Sequence, residues 1–122
     1  MILADTSIWV EHLRKGGKSL ADLLDAGMIV THPFVIGEIA LGSLARRDLI
    51  LSMLEDLPRA TVATDSEVRN FIETHSLFGR GIGYIDAHLL AAARLTQGSR
   101  LWTGDKRLQS IAKELDLAFG NA

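Results

Sequence analysis

Four acids in this chain each interrupt or border an apolar run. Asp5 closes MILAD, Glu38 lies inside FVIGEIALG, Asp86 follows Tyr84-Ile85 at the head of YIDAHLLAAARL, and Asp105 comes just after LWTG. Gathered at one point, such carboxylates repel strongly: two unit charges ~4 Å apart cost on the order of 4 kcal/mol at an effective dielectric near 20. Either a cation neutralises them or one takes up a proton. All-oxygen ligation in a chain without cysteine suits Mg²⁺ or Mn²⁺ and not a structural zinc. An ion of that kind polarises a phosphate and activates water for in-line attack. A carboxylate not wholly committed to the ion then accepts the water proton.

Each acid also has an ordinary structural explanation. Asp5 stands between a short apolar strand and a helix, where capping residues are common, but it also stands where open α/β sheets bind ligands, at a strand's carboxyl end. Both readings stay open at this point. Asp86 gains from the helix macrodipole in a first turn, and Asp105 suits the start of a helix whose stripe is Leu108, Ile111, Ala112 and Leu115. Glu38 is different. Its neighbours three and four residues away are Phe34, Val35, Leu41 and Gly42, so the pattern predicts a helix buried all round. An unpaired buried carboxylate is costly, and that favours a chemical role.

The elements that must position these acids follow from the hydrophobic pattern. Apolar runs at Ile2–Ala4, Met28–Thr31, Ala60–Ala63 and Arg100–Thr103 predict four buried strands, with Leu117–Phe119 as a fifth at an edge. Helices are expected from Asp5 to about Arg14, from Ser19 to Asp25 with a Ser19/Asp22 capping box, and from Pro33 onward. Others are expected from Arg46 to Leu57, from Thr64 to His75 behind a Thr64/Glu67 capping box, from Tyr84 to Gln97, and after Asp105. Strands alternating with helices predict an α/β fold with a mostly parallel sheet of four to five strands covered on both faces, and right-handed crossovers bring Asp5 and Asp105 to one edge. The loop from Phe78 to Gly83 is glycine-rich but lacks dinucleotide-binding spacing; beside the site, its Arg80 would reach a phosphate backbone. The four histidines share no metal-ligand spacing, so core or surface roles are expected.

Length and composition narrow the classes. At 122 residues a single domain over 1–122 is expected, and the 48% apolar content favours a packed globule. The net charge of −2 argues against a protein that coats nucleic acid nonspecifically. The first ten residues lack the basic region of a signal peptide, no run is long enough to span a membrane, and the lack of cysteine fits a reducing, cytoplasmic setting.

The segments ILADTSIWVEHL, GEIALG, YIDAHLLAAA and LWTGDKRL, in this order and spacing, resemble the four motifs of PIN domains, specifically VapC-type toxin ribonucleases. The resemblance covers essentially the whole chain. It implies a three-layer α/β/α sandwich, a Mg²⁺- or Mn²⁺-dependent endoribonuclease acting on RNA, a homodimer, and a small VapB-type antitoxin that blocks the site. It carries the catalytic and metal-binding roles onto Asp5, Glu38, Asp86 and Asp105, and places Thr6, Ser7 and Thr103 as supporting hydroxyls. Where many relatives carry a further acid after the fourth, this chain has Lys106-Arg107, which weakens a second metal position and offers positive charge to RNA phosphates. Two rivals are a receiver-like phosphoryl-accepting domain, for which Asp65 is the available acceptor, and a catalytically silent PIN-like binding module.

Overall fold

The structure, a computed structural model, describes residues 1–120. Its centre is strand β1 (Ile2–Ala4), flanked by β2 (Ile29–Val30) and β3 (Arg100–Trp102) in a parallel sheet of order β2-β1-β3. Leu3 lies in register with Val30 on one side and Leu101 on the other. Successive strand residues face opposite sides of a sheet. Since Ile2, Leu3 and Ala4 are all buried, both faces of the sheet are covered, as in a three-layer α/β/α sandwich.

Fewer strands form than the apolar runs predict. Ala60–Ala63 builds no strand. Contact with the β2 edge is one bridge, Thr31 to Arg59, closed by Thr31 N–H to Pro58 O (2.8 Å) and Ala60 N–H to Thr31 O (2.8 Å). Pro58 has no N–H to extend the ladder backward and Pro33, at the start of the next helix, has none to extend it forward; the Thr61 amide, on the other side of the segment, donates to Thr96 Oγ1 at 2.8 Å. At the opposite edge, Leu117–Phe119 likewise contributes only the Leu101–Ala118 bridge. The sheet is therefore three strands with a single paired residue beyond each edge.

Seven helices surround it among the described residues: α1 (Thr6–Lys15), α2 (Lys18–Asp25), α3 (Pro33–Ala40), α4 (Arg47–Glu55), α5 (Asp65–Thr74), α6 (Tyr84–Leu95) and α7 (Lys106–Glu114). The Thr64 capping box forms as its sequence predicts, with Glu67 N–H donating to Thr64 Oγ1 (3.1 Å) and Thr64 N–H to Glu67 Oε1 (2.8 Å). The Ser19 box does not form, because α2 starts one residue earlier with Gly17 at its cap and Ser19 already inside the first turn. Helix α6 is the most deeply buried, with Ala87 through Ala93 all inside, and it ends at Leu95, two residues before the expected Gln97. One apolar core runs from Ile2 to Leu117 through Trp9, Val35, Leu54, Leu90 and Leu108. No helix among the described residues is long and apolar enough to cross a membrane.

Candidate active site

Strands β1 and β3 run side by side and deliver Asp5 and Asp105 to the same end of the sheet. Asp5 N–H still donates to Trp102 O at 2.9 Å, so the two chains leave the sheet together. Both acids then cap the helices they introduce: Asp5 Oδ1 accepts from Ile8 N–H at 3.2 Å and Asp105 Oδ1 from Leu108 N–H at 3.0 Å. The capping reading and the strand-end reading of Asp5 therefore hold together. Ser7 ties the two chain ends to each other. Its hydroxyl donates to Asp5 Oδ1 at 2.5 Å and accepts from Gly104 N–H at 3.0 Å. Thr103 is buried, and its Oγ1 accepts from Asp105 N–H at 3.1 Å, holding the turn that presents Asp105.

Asp86 reaches the same field from α6. It is half-buried in the first turn, and its Oδ2 accepts from Gly83 N–H at 3.0 Å. Burial is the largest influence on its carboxyl and raises the pKa. The Gly83 amide pulls it back, and the negative charges of Asp105 and Asp5 raise it again. That mutual repulsion is the electrostatic sign that acids from three separate segments share one neighbourhood.

Glu38 arrives by a different route from the one its neighbours suggested. Helix α3 buries Val35, Ile36 and Ile39 on one side only; Gly37 and Glu38 are exposed, and Leu41 just beyond the helix is 89% exposed. The expectation of a helix buried all round is corrected, and with it the argument from burial for a chemical role of Glu38. Residue types three and four positions away do not say which face of a helix meets the core. What locates Glu38 is Thr6, whose hydroxyl donates to Glu38 Oε1 at 2.6 Å and joins α3 to the residue after Asp5.

Each of the four carboxylates thus commits one oxygen to a neighbour in the chain and keeps the other outside the hydrogen bonds among the described residues. Among those residues no three acid, imidazole or thiol groups converge tightly enough to cage an ion. The donor chemistry nonetheless fits a hard divalent cation: only carboxylate and hydroxyl oxygens are present, and the charge that raises Asp86 is charge a cation would relieve.

The basic residues are placed unequally. Lys106 and Arg107 are exposed at the start of α7. Arg107 lies across Gly81, where an added Cβ would sit 2.7 Å from its Nη1. Arg80 is ion-paired with Glu114 at 2.8 Å. Asp65, the acceptor a receiver-like domain would need at a strand end, instead begins α5 after a segment that forms no strand.

Sequence spacing assigns His32 and His88 only a core or surface role. His32 and His88 are buried and linked through Phe34 by edge-on ring contacts of 5.0 and 4.7 Å, with Tyr84 edge-on to His88 at 4.7 Å. This stack joins the first turn of α3 to that of α6. His32 Nδ1 accepts from Phe34 N–H at 3.0 Å and caps α3. Burial, then the charges of His88 and Arg59, lower its pKa from 6.5 to about 4. Neither the capping nor the ring contacts follow a sequence spacing; His32 directly before Pro33 was the only local signal.

The model of the PIN domain family matches residues 2–114. Ribonuclease VapC32 of Mycobacterium tuberculosis, from strain CDC 1551 / Oshkosh and from strain ATCC 25618 / H37Rv, is 45% identical to the chain over 119 residues, which is 98% of this chain and 96% of that protein.

Proposed function

Given that the chain belongs to the PIN domain family, we propose that residues 1–122 form one nuclease domain, an endoribonuclease toxin that hydrolyses RNA phosphodiester bonds. The reading includes dependence on Mg²⁺ or Mn²⁺, assembly as a homodimer, action in the cytoplasm, and silencing by a small VapB-type antitoxin. The observation that carries it is geometric: at the carboxyl end of the sheet Ser7 ties Asp5 to the turn before Asp105, and Thr6 ties Glu38 to the same corner. A 45% identical relative named as a ribonuclease supports the same reaction class.

Asp5, Glu38, Asp86 and Asp105 would hold the cation through their uncommitted oxygens. When bound, such an ion supplies Lewis-acid polarisation of the phosphate and activation of water. The chain's own part is to hold these donors without reorganisation at the moment of reaction. Ser7 keeps Asp5 and the turn before Asp105 at one separation, and Thr6 keeps Glu38 beside them. A carboxylate not wholly committed to the ion would take the proton of the attacking water. Lys106 and Arg107 are exposed next to Asp105, where they can meet the phosphates on either side of the cut.

Purified protein incubated with structured RNAs should cleave in Mg²⁺ or Mn²⁺, stop with chelator, and stop in Asp5→Asn and Asp86→Asn. Cleavage that survives both chelator and the substitutions sinks the mechanism. Mn²⁺ should also raise the melting temperature of the parent protein more than that of Asp86→Asn; equal shifts would mean the acids do not form a metal site.

A further inference from the structure

Tyr84 begins α6 two residues before Asp86, and its ring is held at both ends. Its hydroxyl donates to Asp65 Oδ1 at 3.1 Å, and its ring stands edge-on to buried His88 at 4.7 Å and 89°. The rest of the ring is open, leaving the residue 47% exposed. A single exposed aromatic needs no explanation, but this one walls an apolar notch of about 210 Å³ whose other sides include Leu77, Phe78, Ile82, Gly83 and Ala87. Phe78 across the notch is 64% exposed. Gly83 belongs both to the notch and to the site, because its amide is the one that holds Asp86.

We propose that this notch is a nucleobase subsite, in which Tyr84, facing Phe78, stacks on a base next to the phosphate being cut; the proposal rests on the ribonuclease reading above. Three properties select a base as the occupant. The notch is smaller than the roughly 300–1,000 Å³ pockets of drug-sized ligands and is bounded by aromatic rings. Tyr84 is already immobilised, so stacking on it costs little ordering. Asp65 is engaged by the Tyr84 hydroxyl, and two cations flank the ring where a backbone phosphate could be met. Arg69 lines the hollow on the far side of Tyr84 and Arg107 lies over Gly81, and neither forms an ion pair among the described residues. Tyr84 is a positioning residue: it fixes which nucleotide presents its phosphate to the acids.

The test uses short single-stranded RNAs carrying 2-aminopurine at successive positions, mixed with the protein in chelator so that they stay uncut. One position should be quenched by the parent protein and by Tyr84→Phe, which keeps the ring, and not by Tyr84→Leu. In Mn²⁺, Tyr84→Leu should lose about 10- to 100-fold in kcat/KM, the range expected for one base–aromatic stack, while Tyr84→Phe stays within a few-fold. Phe78→Ser, on an exposed loop residue, gives a second reading if Tyr84→Leu fails to fold. Quenching at no position, or quenching that survives both Tyr84→Leu and Phe78→Ser, overturns the proposal. So does a change from dimer to monomer in light scattering with quenching intact, which would make this face a contact between copies. Cleavage without quenching removes the subsite and leaves the nuclease standing; quenching without cleavage does the reverse.

Discussion

His32 sets up a stability that depends on pH in a known direction. It is fully buried, its Nδ1 must be unprotonated to accept from Phe34 N–H, and its pKa falls from 6.5 to about 4 in the folded chain. Between those values the unfolded chain binds the proton and the folded chain does not. Stability is therefore complete above about pH 6.5, falls as pH drops, and levels off below about pH 4. A shift from 6.5 to about 4 corresponds to a loss of about 2 kcal/mol at pH 5 and about 3 kcal/mol at pH 4. The perturbation that isolates it is His32→Asn, since asparagine can still cap α3 but does not titrate. Urea unfolding of both proteins at pH 7, 6, 5 and 4, without metal, gives the difference directly. The carboxylates titrate in both, including Asp86, whose raised pKa acts in the opposite sense, and they cancel in the comparison. Lost packing against Phe34 offsets the variant by a constant amount without changing its slope. The gap between the two proteins should close by about 3 kcal/mol from pH 7 to pH 4; parallel curves would refute the assignment of the His32 proton.

Ser7→Ala removes the hydroxyl that joins Asp5 to Gly104; we expect about 1 kcal/mol of lost stability by denaturant titration and a further fall in RNA cleavage, whereas unchanged cleavage would show that the bridge does not orient the acids. Gly81→Ala meets both a φ of +84° and the Arg107 side chain. It should cost about 1–2 kcal/mol, and Arg107→Ala on that background should return only the steric part, a partition read by a double-mutant cycle. Thr64→Ala should cost about 1 kcal/mol through loss of the α5 cap, seen as a lower melting temperature.

How far the sequence reached depends on whether an interaction is local. Asp5, Asp86 and Asp105 were legible because each sits at the junction of an apolar run and a helix, and junctions are written in adjacent residues. Glu38 stands out in the sequence for a burial it does not have; it joins the set through Thr6, 32 residues away, a link without sequence periodicity. The Ser7–Gly104 contact spans 97 residues, and the His32–Phe34–His88 stack unites two helices by shape alone. The Ala60–Ala63 run had strand composition, but pairing is decided by the neighbouring chain. There the ladder stops after one residue because neither Pro58 nor Pro33 has an N–H to add a rung. Local capping chemistry is legible at Thr64 and misleading at Ser19, where a glycine one position before the helix stands at the cap instead.

The brevity of the sheet has a consequence for behaviour at high concentration. An open strand edge is a template on which other chains can add, and long, flat, apolar edges are the hazardous ones. Here the outer strands are Ile29–Val30 and Arg100–Trp102, both very short, and each is closed by one further bridge, to Arg59 and to Ala118. The amides of Thr31 and Leu101 are already taken, by Pro58 O and Leu117 O. Little ladder is left to copy, so the folded chain carries a built-in resistance to edge-to-edge aggregation.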